Sequence, residues 1–416
     1  MGFDRADCLR ARAEVPALKR QHGGRALVFL DGPAGTQVPQ AVIDAVVQVY
    51  TSRNANTHGR FVTSQEADAA LARAREVVAA YLGAPGPANI SFGANMTTLN
   101  FALARAIGRA LRPGDEIVIT ALDHEANRSP WLALSEHGAV LREVALRPDG
   151  RLDTDDLRAK VGPRTRVVAL GWSSNALGTV NDVALARELT RAAGAWLLID
   201  AVHYAAHFAV DVGALDPDFL LCSAYKFYGP HVGVLYTRAG LLEQLRTDAV
   251  SAQDPAAPYR IETGTLNLAA IAGVRAAVEW LASFGAGASL RQRIVAAMDA
   301  IGAREHALAA RYHAGVQRIA GATVFGPGFE SRARAPTVSI TLRGRRPDAV
   351  ARALGERGIC VWDGDFYACR AIEVLGLKAQ GGVVRTGISL YNTEEEVDWL
   401  LESLAQIAAA PAAVRA

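Results

Sequence analysis

In the stretch Asp218-Phe219-Leu220-Leu221-Cys222-Ser223-Ala224-Tyr225-Lys226-Phe227-Tyr228-Gly229-Pro230-His231-Val232-Gly233, an apolar run ends in a hydroxyl and a lysine, and a glycine/proline turn follows. The run Phe219–Cys222 reads as a buried strand, and Gly229-Pro230 turns the chain soon after it. A lysine at the mouth of an α/β sheet, beside Ser223 and a tight turn, suits a Schiff base to an aldehyde cofactor. A solvated surface lysine satisfies the same window. Lysine is scarce in this chain and arginine supplies most of its positive charge, so the placement of Lys226 carries more weight.

Working outward, Trp196-Leu197-Leu198-Ile199-Asp200 is a second buried run that ends in a carboxylate. Asp200 reads as a strand-end cap or as a partner of Lys226. Further strands are expected at Leu27–Leu30, Asn89–Phe92, Glu116–Thr120, Arg166–Leu170 and Val234–Tyr236, with amphipathic helices at Gln65–Leu82, Thr97–Leu111 and Val183–Ala193. This alternation predicts a mostly parallel sheet covered on both faces, whose ligands collect at the carboxyl ends of the strands. Asp200, Ser223 and the turn after Phe92 all occupy such ends. A long helical stretch from Ser283 to Gly315 leads into a smaller α+β unit, with strands at Thr337–Leu342 and Val383–Ser389. Thr393-Glu394-Glu395-Glu396 starts its closing helix.

At 416 residues and 50% hydrophobic, the chain is long enough for two domains, and its net charge of +2 is spread along it. No basic stripe with interleaved aromatics points to nucleic acid. No apolar stretch is long enough to span a bilayer. The four cysteines, Cys8, Cys222, Cys360 and Cys369, form no CxxC pair, which predicts free thiols in a reducing compartment and no metal site. Charges at Asp4 and Arg5 stand where a secretory signal needs apolar residues, so a cytoplasmic location is expected.

From about Leu30 to the last helix the chain resembles the class V aminotransferase-fold enzymes that depend on pyridoxal 5′-phosphate (PLP), in their cysteine desulfurase-like group. Five stretches carry the likeness: Ser91–Thr98, Leu122-Asp123-His124-Glu125-Ala126-Asn127, Ser174-Asn175-Ala176-Leu177-Gly178, Arg260-Ile261-Glu262-Thr263-Gly264-Thr265 and Val383–Asn392. The resemblance implies a type I PLP-transferase fold: an arm over residues 1–22, a large PLP-binding domain over 23–284 and a small α+β domain over 285–416. It implies that Lys226 forms the Schiff base, that Asp200 keeps the ring nitrogen protonated and that His124 stacks on the ring. Ala94, Asn95, Met96, Ser223 and Tyr225 would then grip the cofactor phosphate, with Thr265 reaching it from the neighbouring subunit of a homodimer. Asn175 and His203 would face O3′. Arg385 would bind the carboxylate of a small amino-acid substrate, aided by Asn175, with His58 and Arg60 lining the mouth from the other subunit.

Some positions depart from the family pattern. Ala94-Asn95-Met96 replaces a Gly-Thr-Thr type turn, Tyr225 replaces a histidine, and His203 replaces a glutamine. After the strand Gly358-Ile359-Cys360-Val361 a loop from Trp362 to Cys369 carries Tyr367 near the position of the family's nucleophilic cysteine. Cys369 lies two residues further, at the expected start of a helix, and Cys360 reads as a small core residue. The expected chemistry runs through an external aldimine and a Cα carbanion, with C–S (Cβ) cleavage of a cysteine-type substrate as the favoured outcome. An aminotransferase or amino-acid epimerase, and a non-catalytic PLP-fold binding or regulatory protein, are the alternatives. The set Lys226, Asp200, His124 and Arg385 argues against the last.

Overall fold

The computed structural model describes residues 2–331 and 333–411. Met1, Arg332 and residues 412–416, which the expected arm and small domain include, lie outside the described residues.

The centre is a seven-stranded sheet built from β1 (Ile90–Gly93), β2 (Glu116–Thr120), β3 (Val140–Val144), β4 (Thr165–Gly171), β5 (Trp196–Asp200), β6 (Phe219–Ser223) and β7 (Gly233–Thr237). Its order is β1-β7-β6-β5-β4-β2-β3, and only β7 runs against its neighbours. The expected α/β fold with a mostly parallel sheet is therefore borne out. Strands β2, β6 and β7 are buried along their whole length because helices cover both faces, which is why they read as unbroken apolar runs. Burying one Leu or Ile of β5 contributes about 1.5–3 kcal/mol. Edge strand β3 is half exposed and polar on one side, and so lacks that signal.

Helix ends follow local chemistry. Asn95 Oδ1 accepts the Thr98 N–H at 2.9 Å and starts helix Met96–Gly108. Asp182 caps Val183–Ala193, which Gly194 ends at φ 66°. Thr393 and Glu396 form the capping box of Glu394–Ala409, as the sequence predicts.

The C-terminal sheet comprises β8 (Ala322–Phe325), β9 (Thr337–Leu342), β10 (Trp362–Gly364) and β11 (Val383–Gly387), in the order β8-β9-β11-β10 and antiparallel throughout. Two expectations change here. The stretch Leu27–Leu30 is not a strand of the large sheet: Val28–Phe29 pairs in parallel with Ile359–Cys360. Trp362–Gly364, expected as loop, is β10, zipped to β11 with Trp362 opposite Arg385. The helix expected at Cys369 is present as Cys369–Val374.

A buried ion pair ties strand β1 to a distant segment. Arg75 donates to both carboxylate oxygens of Glu262, each at 2.7 Å, and to Ile90 O at 2.6 Å, while Glu262 Oε1 also accepts the Phe92 N–H at 2.7 Å. Glu262→Ala strands the guanidinium in a dry environment, so it is expected to destabilise the protein by about 3–5 kcal/mol. Denaturant unfolding measures this; a loss under about 1 kcal/mol would mean that water reaches Arg75.

Candidate active site

Five carboxyl-end segments converge on one edge of the large sheet: the helix start after β1, Leu122–Asn127 after β2, Ser173–Gly178 after β4, Asp200 on β5 and the Ala224–Lys226 turn after β6. Between them lies a cavity of about 650 Å³, lined among others by Asn95, Met96, His124, Asn175, Asp200, His203, Ser223, Tyr225 and Lys226. One sheet edge thus brings together nine of the residues singled out from the sequence.

Lys226 is buried, and its Nζ donates to the carbonyl of Pro33. Burial pushes its amine down to about 7, helped by the Arg385 guanidinium and opposed by Asp200 and Asp31. Burial likewise raises Asp200 to about 6, against the Val202 N–H, which donates to it at 2.9 Å, and the Lys226 amine. Asp200 therefore stays ionised near neutral pH while facing a lysine that is partly the free base.

Burial pushes His124 down to about 4, with Lys226 and Arg385 adding repulsion. The Ala126 N–H donates to its Nδ1 at 2.9 Å, so the neutral ring carries its proton on Nε2. His203 is held through its other nitrogen: Nε2 meets Thr337 Oγ1 at 3.0 Å, and buried Nδ1 has no partner among the described residues. Met96 N–H donates to Ser223 Oγ at 3.2 Å, which joins the helix start to the end of β6. Tyr225 stacks on His231 at 4.7 Å between centroids, and Lys226 Nζ lies 4.9 Å from the Tyr225 ring.

Arg385 comes from β11 of the C-terminal sheet. It is buried, donates to Asn175 O at 3.1 Å and lies 4.0 Å from the centre of the Phe366 ring. Burial lowers it to about 9, opposed by Asp31 and Tyr225, which leaves it charged at neutral pH. Asn175 Nδ2 donates to Phe366 O at 2.9 Å, so the buried atom it leaves unpaired is Oδ1, an acceptor. In that orientation Asn175 suits a donor on a ligand rather than a carboxylate.

Five of the singled-out residues do not line this cavity in their own chain, among them Arg385, which lines the adjoining cavity with His124, Asn175 and Lys226. Ala94 and Thr265 line a neighbouring one, Thr265 and His58 another, and Arg60 is exposed. Sequence reasoning also missed participants. Asp31 ends the Val28–Leu30 run, the same strand-end signal that marked Asp200, and burial raises it to about 6 against Arg385 and Lys226. Asp123 lines the cavity beside His124. Burial raises it to about 7, against the Gly171 N–H that donates to it at 2.7 Å. A Cβ on Gly171 would stand 2.5 Å from Asp123 Oδ1, so glycine is needed at that strand end.

The loop after β10 closes the site. Phe366 and Tyr367 both adopt φ 56°, a left-handed pair of non-glycine residues costing about 1 kcal/mol or more each. They are fastened on two sides, by Asn175 to Phe366 O and by the Glu125 N–H to Tyr367 O at 2.7 Å. The Tyr367 ring lies 5.5 Å from His124. Cys369 Sγ donates to Asp365 Oδ2 at 3.4 Å; partial burial and that carboxylate push its thiol up to about 11.

With this geometry in hand, the aminotransferase class V family model matches residues 28–400. A probable cysteine desulfurase of Mycolicibacterium paratuberculosis is 35% identical over 97% of this chain, which spans 58% of that relative's length. A cysteine desulfurase of Serratia proteamaculans is 34% identical over 96% of this chain and 97% of its own. The apo structure of a cysteine desulfurase from Thermococcus onnurineus NA1 is similar at a TM-score of 0.87 and 26% identity, covering 96% of this chain and 98% of that one. The chain belongs to the aminotransferase class V family of PLP-dependent enzymes, in its cysteine desulfurase-like group.

Proposed function

We propose that this protein holds PLP at Lys226 and cleaves the Cβ–S bond of a cysteine-type amino acid, in the cytoplasm and as a homodimer. The observation that carries the reading is a buried lysine with a depressed pKa, facing an ionised aspartate in one cavity, with a charged arginine lining the adjoining cavity that shares that lysine. The cavity fits the cofactor. Ser173 Oγ, Asn175 Oδ1 and His203 Nδ1 are buried without partners among the described residues, and all three residues line it. The phosphate would be held by the start of helix Met96–Gly108 and by Ser223, and the ring nitrogen by Asp200.

Bound PLP supplies an electron-accepting ring that stabilises negative charge at the substrate Cα. The chain's own residues do the rest. Arg385 binds the carboxylate and orients the amino acid. Lys226, poised near neutrality, takes the Cα proton and returns a proton where it is needed. Neutral His124 would line the ring site without adding charge. Tyr367 stands where the family carries a cysteine, and Cys369 is a poor thiolate, so sulfur departs into solution rather than onto the enzyme. Incubation with L-cysteine is expected to give sulfide and pyruvate together. Alanine with enzyme-bound sulfur, or a keto acid that retains sulfur, would overturn this reading.

Thr265, His58 and Arg60 would complete the cavity of a second subunit. Sedimentation at twice the chain mass is the expected result, and a monomer at full cofactor occupancy would remove these three from the site.

Cofactor capture by the apoprotein should depend on pH. Only the free amine attacks an aldehyde, and the Lys226 amine titrates at about 7. The capture rate should therefore rise as pH increases through about 7 and flatten above it. Stopped-flow absorbance measures this; a rate still climbing above pH 9 would mean a lysine with an ordinary pKa.

A further inference from the structure

The Lys226 cavity opens into a wider one of about 1210 Å³ that shares Thr97, His124, Asn175, Tyr225 and Lys226 with it. The outer wall of this mouth is aromatic, formed by Phe101, Trp362, Phe366 and Tyr367. Trp362 is 51% exposed and Tyr367 69% exposed. A single exposed aromatic is ordinary, but two exposed and two half-buried rings around one opening form an apolar surface that a ligand can cover.

The backbone that carries the wall is pinned by hydrogen bonds and tied to the arginine. Trp362 pairs with Arg385 in the β10–β11 register, and Phe366 lies under the Arg385 guanidinium at 4.0 Å. Phe366 and Tyr367 are locked in their left-handed turn by Asn175 and Glu125. An amino acid whose carboxylate pairs with Arg385 thus brings its Cβ substituent next to these rings. The thiol of free cysteine is too small to use them, and Cys369 offers it no reactive thiolate. An aromatic wall on a pinned backbone binds large apolar groups at little cost in its own ordering.

Resting on the C–S cleavage reading above, we propose that the site takes S-substituted L-cysteines with an apolar or aromatic group on sulfur. The Cα proton is removed and the Cβ–S bond breaks with its electron pair leaving on sulfur. The sulfur takes up a proton and departs as a thiol, and water hydrolyses the three-carbon remainder to pyruvate and ammonium. No oxidant or reductant is needed.

The test compares S-benzyl-L-cysteine, S-methyl-L-cysteine and L-cysteine on the holoenzyme, reading pyruvate and thiol. The kcat/KM for the benzyl compound should exceed that for the methyl compound by about 10-fold or more. In Trp362→Ala/Tyr367→Ala, whose altered positions are exposed, that ratio should fall about 10-fold. Calorimetric Kd values for the two S-substituted compounds on Lys226→Ala protein, which cannot turn them over, should show the same preference. Pyruvate from L-cysteine without any benzyl preference, or a preference unchanged in a correctly folded double variant, overturns this proposal alone. Pyruvate from none of the three overturns the C–S cleavage reading and this proposal with it.

Discussion

Lys226→Ala protein is expected to lose turnover of every amino-acid substrate by about 10⁴-fold, because under the proposed function one side chain would serve as both covalent anchor and proton carrier. The fold should survive the change. Among the described residues the amine donates to the Pro33 carbonyl alone, and its burial already disfavours its charge. Asp200 and Asp31 lose a nearby cation, so their carboxyls should rise further from the ordinary range. Borohydride reduction followed by peptide mass analysis checks the anchor: the wild type should carry the cofactor mass on the Lys226 peptide and the variant on none. Turnover above a tenth of wild type in the variant, or an adduct on another lysine, would show that the site has been misassigned.

Arg385→Ala is expected to lower kcat/KM by about 10²–10³-fold, mostly through KM, because a substrate carboxylate would enter a dry site with no counter-charge. Arg385→Lys should recover little of this. An ammonium group cannot present two parallel N–H donors to a carboxylate, nor lie flat on Phe366 as the guanidinium does at 4.0 Å. Arg385 is also the first electrostatic cause, after burial, of the depressed Lys226 amine. Its removal should therefore move the pH midpoint of cofactor capture upward from about 7, a readout that a purely structural role would not shift. A kcat/KM loss below tenfold, with the midpoint unmoved, would show that another group holds the carboxylate.

Much of the scaffold was legible because its signals are local. Strands buried on both faces read as apolar runs, and Asp182, Thr393 and Gly194 mark helix ends by side-chain chemistry a few residues away. Lys226, Asp200 and Ser223 were found because each stands at or just after a strand end, and His124 because Leu122–Asn127 resembles a family motif. The strand at Val28–Phe29 was legible but its partner was not, and Trp362–Gly364 was read as loop. A strand of three residues carries no periodicity, and both partners, Ile359–Cys360 and β11, lie elsewhere in the chain. Asp31 escaped for the same reason: its strand-end position was visible, but its proximity to Lys226 and Arg385 depends on that long-range pairing.

Sequence alone carried the family, the α/β architecture and the lysine–aspartate pair, since these rest on apolar runs and on residues at their ends. Only the tertiary structure decided the surroundings that give those residues their chemistry. Burial, and a guanidinium brought from a separate sheet, bring the Lys226 amine to about 7. The docking of β10 against β11 places Trp362, Phe366 and Tyr367 around the mouth. Desolvation and long-range electrostatics depend on how far apart groups lie in space, and spacing along the chain does not encode that distance.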